Sequence, residues 1–359
     1  AVVALIVSVV VCAQEGQVAF NESHARDLEP LAIHPRTSLT IVDQIRHNHF
    51  IKKPLDDSAS SEIFDKYVNT LDPGHAYLLQ PDLDSLNKYR YRLDEALKHG
   101  DLKPAFAIYN TFHARLLKRL DALIVGLEDG VDKIDFDADE KLQIDRETAP
   151  WSETEAANDA LWERRIKASI LSMKLNERDL GDIQDLLLKR YRNRLKQARQ
   201  TRSEDAFQLY INAFASTYDP HTQYLSPRSS ENFNMSMSLS LQGIGAVLRT
   251  EDDYTSVVRL VTAGPADKAG ELKPSDRIVS VGQGERGKLI DVVGWRLDDV
   301  VELIRGPKGT IVRLELVDNS GDEESSRVIR IKRDTVKLEE QAAQKKVFTL
   351  ESELGDVRI

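Results

Sequence analysis

The sequence predicts an α+β protein of several domains, in which a long α-helical domain precedes a small, mostly-β domain. Between about Thr37 and Tyr218, apolar residues recur at helical spacing, as in the set Ile63, Phe64, Tyr67, Val68 and Leu71. After Pro227 this pattern gives way to short alternating runs, for example 311–317 and 327–332, with frequent glycines between them. Such runs are typical of strands joined by tight turns, with one helix predicted among them at 297–305.

The composition is that of a chain able to bury a core. The 359 residues suffice for two or three domains, and 41% are hydrophobic while 30% are charged, which argues against a disordered chain. The formal net charge of −10 argues against a nucleic-acid partner, because binding to phosphates requires a basic surface. The basic run at 189–194 is interpreted as a solvated helix face.

The first residues form an apolar run that ends at Cys12 and Ala13. The run is too short to cross a bilayer, and its length is that of the hydrophobic part of a secretory signal. We therefore expect residues 1–13 to be a partial signal peptide that is removed on export. A buried element of the mature fold and a lipidated Cys12 remain open alternatives. Cys12 is the only cysteine, so cleavage would leave no disulfide, cysteine nucleophile or thiolate metal site.

Motifs for metal, phosphate or hydrolase chemistry are weak in this sequence. The eight histidines form no H-E-x-x-H pattern, and no cofactor is predicted. No G-x-S-x-G elbow occurs, and the G-x-G-x-x-G match at 282–287 lies between predicted strands, where a hairpin loop is expected. His221 lies beside Asp219, but the Asp-Pro pair at 219–220 repeats one at 72–73, so we interpret both as helix-ending corners.

The strongest candidate site is the glycine-framed loop formed by Gly243, Ile244, Gly245 and Ala246. Backbone N–H groups of such a loop can surround an anion, and a strand that follows it can pair with an extended peptide. The predicted helix at 297–305 would form the other wall, with Leu297 and Val301 against the last side chain of the peptide. A plain β-turn is the alternative interpretation of the loop.

Several ordered motifs around this loop resemble those of PDZ domains. They are the segments 260–270 (LVTAGPADKAG), 272–281 (LKPSDRIVSV) and 297–306 (LDDVVELIRG), the last of which resembles the helix of the peptide groove. Together with the helical domain and the corner 218–225, they make residues 35–350 similar to the tail-specific (C-terminal processing) serine proteases, in their periplasmic Gram-negative form. The predicted domains are thus a helical domain at 14–235, a PDZ domain at 236–334, and a linker with the start of a catalytic α/β domain at 335–359.

The resemblance implies proteolysis of exported or unfolded proteins that are selected by an apolar C-terminal tail. The serine nucleophile and lysine base of the family are expected beyond residue 359, so no catalytic residue is assigned and the chain alone is expected to be inactive. We expect location in the periplasm, no nucleic-acid partner and no stable membrane span. An adaptor and association with the inner membrane are left open. The rival hypotheses are a non-catalytic PDZ scaffold and a PDZ protease with a trypsin-like domain.

Overall fold

The structure is a computed structural model that describes residues 27–132, 134–136, 139–238, 240–318, 326–337, 349–350 and 357–358. The predicted signal peptide, with Cys12, lies outside the described residues, as does most of the segment 338–359. The helical region followed by an antiparallel β-rich domain confirms the predicted fold class. No described helix is both long enough and apolar enough to span a membrane.

The helical domain packs amphipathic helices around one core. The helices are α1 (His34–Asn48), α2 (Asp57–Leu71), α3 (Gln80–Leu86), α4 (Leu93–His99), α5 (Lys103–Glu128), α6 (Glu155–Lys174), α7 (Leu180–Arg199) and α8 (Ser203–Ala215). Helix α9 (Pro227–Ser238) follows them, and none of its described residues belongs to this core. The aromatic side chains of Tyr67, Phe207, Tyr210 and Phe214 are completely buried in this core. Asp56, Thr154 and Asp179 cap the N-termini of α2, α6 and α7 through side-chain oxygens.

The chain is not continuously helical between α3 and α4. A 3₁₀ turn (Asn87–Tyr89) follows α3, and α4 begins only at Leu93. The buried Ser60 hydroxyl donates to the Arg90 carbonyl at 2.7 Å and accepts from the Leu93 amide at 2.8 Å. A side chain of α2 thus satisfies backbone groups at the break, which a local pattern cannot predict.

Both Asp-Pro corners have the structural role predicted for them. The Asp72 carboxylate accepts from the amides of Ala76, Tyr77 and Leu78 at 2.8–3.0 Å. Asp219 likewise accepts from the amides of His221 (2.7 Å) and Thr222 (3.0 Å). His49 Nε2 lies 2.6 Å from Asp219 Oδ2 and ties the end of α1 to this corner. Hydrogen bonds from the Thr222 hydroxyl, the His221 amide and His49 hold the pKa of Asp219 well below its usual range.

The β-rich domain is built on an antiparallel sheet in the order β2-β3-β4-β6-β7, with β5 paired to β4. Its strands are β1 (Ser240–Gly243), β2 (Ala246–Glu251), β3 (Tyr254–Leu260), β4 (Arg277–Gln283), β5 (Leu289–Asp291), β6 (Ile311–Val317), β7 (Arg327–Lys332) and β8 (Asp334–Lys337). Strand β1 pairs separately with β8, and β9 (Thr349–Leu350) with β10 (Val357–Arg358). The glycine-rich segment 282–287 is the hairpin turn between β4 and β5, as predicted.

Two helices cross this sheet, where the sequence predicted one. Helix α11 (Leu297–Ile304) is the predicted helix, and α10 (Pro265–Ala269) is an additional short one. The five residues of α10 are too few to show helical periodicity. Alternate residues of the strands form a second core with both helices, namely Val257, Ala266, Ile278, Val281, Val300, Ile304, Val312, Leu314, Leu316, Ile329 and Ile331.

Candidate peptide-binding site

Helix α11 lies beside strand β2, and we call the space between them the groove. Strand β2 is the end strand of the sheet: it pairs with β3 along one edge, and no other described strand pairs with it. Helix α11 packs beside β2 and β4. An unpaired strand edge presents N–H and C=O groups at regular spacing, so an extended peptide is able to join the sheet here.

The apolar residues of α11 differ in burial. Val300 and Ile304 are fully buried in the core of the β-rich domain. Leu297 and Val301 remain partly exposed, and because they are four residues apart they share a neighbouring face of the helix. These are the two helix residues predicted from the sequence to line the site.

The glycine-framed loop connects β1 to β2 at the start of the open edge. Gly243 ends β1, Ile244 and Gly245 form the turn, and Ala246 begins β2. Gly245 has φ +75°, a left-handed conformation that favours glycine, and a Cβ there would lie 3.3 Å from Gly264 Cα. The loop is therefore a close backbone contact that requires glycine. The side chain of Ile244 is buried and anchors the loop in the core.

Hydrogen bonds fix the direction of the peptide groups in this loop. The Ile244 carbonyl accepts from the Ala266 amide and the Gly245 carbonyl from the Val261 amide, both at 2.8 Å. In a trans peptide the C=O and the following N–H point in opposite directions. The N–H groups of Gly245 and Ala246 therefore point away from α10 and from Val261. N–H groups must point in this direction if they are to donate to a ligand that lies outside the domain.

The loop lies beside the C-terminal end of α11. A Cβ at Gly243 would lie 3.7 Å from Arg305 Cγ, and Arg305 directly follows the helix. Along the helix, Val301 is consequently about 6 Å closer to the loop than Leu297, given a rise of about 1.5 Å per residue.

The sequence analysis missed Arg333, which holds this end of α11. Its guanidinium is buried and donates to the carbonyls of Leu303 (3.0 Å) and Ile304 (2.8 Å) and to Gln283 Oε1 (2.7 Å). These carbonyls end the helix and have no intrahelical partner. Burial lowers the pKa of Arg333. No local signal identifies this residue, because it sits in an ordinary alternating run of basic and apolar residues.

The other end of α11 is tied to the helical domain by ion pairs. The Asp299 carboxylate, 13% exposed, accepts two hydrogen bonds from Arg202 and one from Arg228 at 3.0 Å. Arg296, which precedes the helix, donates to Asp205 Oδ2 at 2.7 Å. The groove helix thus contacts residues of the loop before α8, of α8 and of α9.

Strand β2 is tied to the same domain at its far end. Asp252 and Asp253 form the tip of the β2–β3 hairpin and pair with Lys189 (2.6 Å) and Lys196 of α7. Gln200 adds a hydrogen bond to the Gly294 carbonyl at 2.7 Å. Both walls of the groove are therefore held to the helical domain at the end that lies opposite the loop.

The helical domain precedes a small domain in which a sheet edge, a helix and a glycine loop adjoin the groove. This arrangement defines the class of protein, which is one that carries a peptide-binding module of the PDZ type. Residues 41–228 match the family described as "Tail specific protease N-terminal domain", and residues 232–317 match "PDZ domain". The chain is 43% identical over 302 residues to the tail-specific protease of Haemophilus influenzae, covering 84% of this chain and 43% of that protein. It belongs to the tail-specific protease family, and the resemblance seen in the sequence is confirmed.

Other relatives match shorter parts of the chain. The carboxy-terminal processing protease CtpA of Bacillus subtilis is 34% identical over 141 residues, which is 39% of this chain and 27% of that protein. The crystal structure of a peptide complex of the PDZ domain of the carboxy-terminal protease from Vibrio cholerae is 52% identical, with a TM-score of 0.27. That match covers 28% of this chain and 100% of that one. The chain spans less than half the length of its Haemophilus relative.

Proposed function

We propose that this chain recognises substrates for a periplasmic C-terminal processing serine endopeptidase, which selects exported proteins by an apolar C-terminal tail. The observation that carries the proposal is the open edge of β2, which begins at outward-facing amides and lies beside α11, the helix that carries the partly exposed apolar strip of Leu297 and Val301. Membership of a family of C-terminal processing proteases supports the catalytic part of the proposal. No catalytic residue is assigned within these 359 residues.

The groove suggests a position for each part of a bound tail. The terminal carboxylate accepts hydrogen bonds from the amides of Gly245 and Ala246, and the peptide backbone pairs antiparallel to β2. The last side chain then lies against Val301, which is the nearer of the two helix residues.

In this arrangement Leu297 does not contact the last side chain of the tail, which is the contact predicted from the sequence. The separation of about 6 Å between Leu297 and Val301 along α11 matches two residues of extended chain, at about 3.3 Å each. Residues two apart on a strand also point to the same side. We therefore assign Leu297 to the third residue from the end, so that apolar residues are favoured at the last and third-last positions.

A substitution in the apolar strip tests this assignment. Aspartate at Val301 would have to lose its hydration beside the peptide without gaining a partner. We expect Val301→Asp to weaken the binding of an apolar-ended peptide by about 2 kcal/mol, or roughly 30-fold. The measurement is fluorescence anisotropy with the 359-residue chain and a labelled peptide.

Val328→Asp is the matched control for this experiment. Val328 is 47% exposed on β7, at the opposite edge of the sheet from β2. The Val328→Asp substitution should leave the affinity for the peptide unchanged. Equal affinity of the Val301→Asp chain and the original chain would rule out the proposed tail pocket.

Export is the second part of the proposal. The apolar run that ends at Cys12 and Ala13 supports it, because its length and its small-residue end are those of a secretory signal. Mass spectrometry of the periplasmic product should find a chain that begins at Gln14. Retention of residues 1–13, or a lipid on Cys12, would contradict a cleaved signal.

A further inference from the structure

A group of arginines lies around the first Asp-Pro corner of the helical domain. Arg146, in the segment before α6, donates to the carbonyls of Gly74 (3.1 Å) and His75 (3.3 Å). Arg165 Nη1, on α6, lies 3.8 Å from the position that a Cβ on Gly74 would occupy. Two arginines from different segments therefore meet at the same turn.

A third arginine lies near the ring of Tyr77, a residue of the same corner. The Arg165 guanidinium lies 4.6 Å from the ring centroid of Trp162, and the Trp162 and Tyr77 rings are 5.2 Å apart. The Arg194 guanidinium, on α7, lies 5.5 Å from the centroid of Tyr77. We call Arg146, Arg165 and Arg194 the arginine cluster.

Within the part of the chain that the structure describes, no carboxylate forms an ion pair with the arginine cluster. The charge of Asp72 acts on Arg146, and the Asp72 oxygens accept hydrogen bonds from backbone amides of the corner. Burial and the neighbouring charge of Arg165 lower the pKa of Arg146. By contrast, Arg192 on the same helix as Arg194 pairs with Glu128 at 2.6 Å. The cluster thus concentrates positive charge in a chain whose net charge is −10.

The hydroxyl of Tyr77 supplies an independent observation at this site. Tyr77 is 8% exposed, and its buried hydroxyl has no hydrogen-bond partner among the described residues. Burial raises the pKa of Tyr77 to about 12, so the hydroxyl keeps its proton and is available as a donor. Arginine side chains donate but do not accept hydrogen bonds. The hydroxyl can therefore donate to an acceptor oxygen of a bound group.

We propose that the arginine cluster and Tyr77 form a binding site for a doubly charged phosphate group, as in a phosphomonoester or pyrophosphate. A single carboxylate would neutralise only one of three guanidinium groups. A phosphate monoester carries a charge of about −1.5 to −2 and three acceptor oxygens, and guanidinium groups bind such oxygens in pairs. The phosphate belongs either to a soluble compound or to a lipid headgroup.

Calorimetric titration of the 359-residue chain with pyrophosphate tests the site. We expect saturable binding at one site, weakened about tenfold or more by Arg165→Gln or Arg194→Gln. Tyr77→Phe should weaken it by a smaller factor. Arg192→Gln, which breaks a pair with Glu128 on the same helix, should leave the affinity unchanged. Each variant should keep the circular dichroism spectrum and melting temperature of the original chain, which separates loss of the site from loss of the fold.

Vesicle flotation distinguishes the two sources of the phosphate. Flotation with phosphatidic acid vesicles but not with phosphatidylcholine vesicles would assign the site to a lipid headgroup. Pyrophosphate binding without flotation would assign it to a soluble compound. The proposal is overturned if the chain binds neither probe, if Arg192→Gln weakens binding as much as Arg194→Gln, or if polyglutamate binds more tightly than pyrophosphate.

Discussion

Replacing Asp299 by asparagine tests whether the helical domain stabilises the groove helix. The Asp299 carboxylate is 13% exposed and accepts three hydrogen bonds from Arg202 and Arg228. A hydrogen bond to a charged group contributes about 1.5–3 kcal/mol. Asparagine keeps one acceptor oxygen, and the side chains of Arg202 and Arg228 are 53% and 35% exposed, so water replaces part of the loss. The net cost should be about 2 kcal/mol.

Hydrogen exchange of the 359-residue chain measures the loss of stability in the β-rich domain separately from that in the helical domain. A loss of about 2 kcal/mol should make the protected amides of α11 and β4 exchange about 30-fold faster, while those of α2 and α8 change little. Glu302→Gln is the control, because Glu302 is 70% exposed and its ion pair with Arg228 is a surface one, so its effect should stay below about 0.5 kcal/mol. Unchanged exchange in Asp299→Asn, or an equal change in Glu302→Gln, would refute the reasoning.

Two further predictions concern residues that hold the ends of helices. Arg333→Met should destabilise the β-rich domain by about 3 kcal/mol in urea unfolding, because the buried Ile304 carbonyl loses its donor and the Leu303 carbonyl keeps only Gln283 Nε2; Lys332→Met, at an exposed neighbour, should change it by less than about 0.5 kcal/mol. Asp219→Asn should lower thermal stability at neutral pH. The pKa of Asp219 is depressed below 3.8 in the folded chain, so its stabilising effect is complete above that pH and is lost as the pH falls. The difference in melting temperature between the two chains should therefore shrink below about pH 4, and a difference that is constant down to pH 2 would contradict it.

The features predicted from sequence are those that local chemistry determines. Apolar spacing indicated α2 and α8 because one face of each helix is buried in a single core. The Asp-Pro corners were predictable because the acceptor and its amides lie within six residues of each other. The loop at 243–246 was predictable because Gly245 adopts a left-handed conformation, which is a local requirement that glycine meets.

The features that were missed depend on partners far apart in the sequence. Arg202 and Asp299 are 97 residues apart, and Arg333 lies 30 residues from the carbonyl of Leu303. Helix α9 was missed for another reason: its Ser- and Asn-rich sequence favours turns, although Pro227 at its first position is a start signal that could have been used. The roles of the loop and of Leu297 and Val301 in binding remain predictions.

The binding of one peptide in two forms tests the central claim most directly. A peptide with apolar last and third-last residues is prepared as the free acid and as the C-terminal amide, and calorimetry measures the affinity of each for the 359-residue chain. If the amides of Gly245 and Ala246 bind the terminal carboxylate, amidation should weaken binding about tenfold or more, because it removes the anion from charge-assisted hydrogen bonds. Equal affinity of the two peptides would contradict the account and would leave the glycine-framed loop as a turn without a role in recognition.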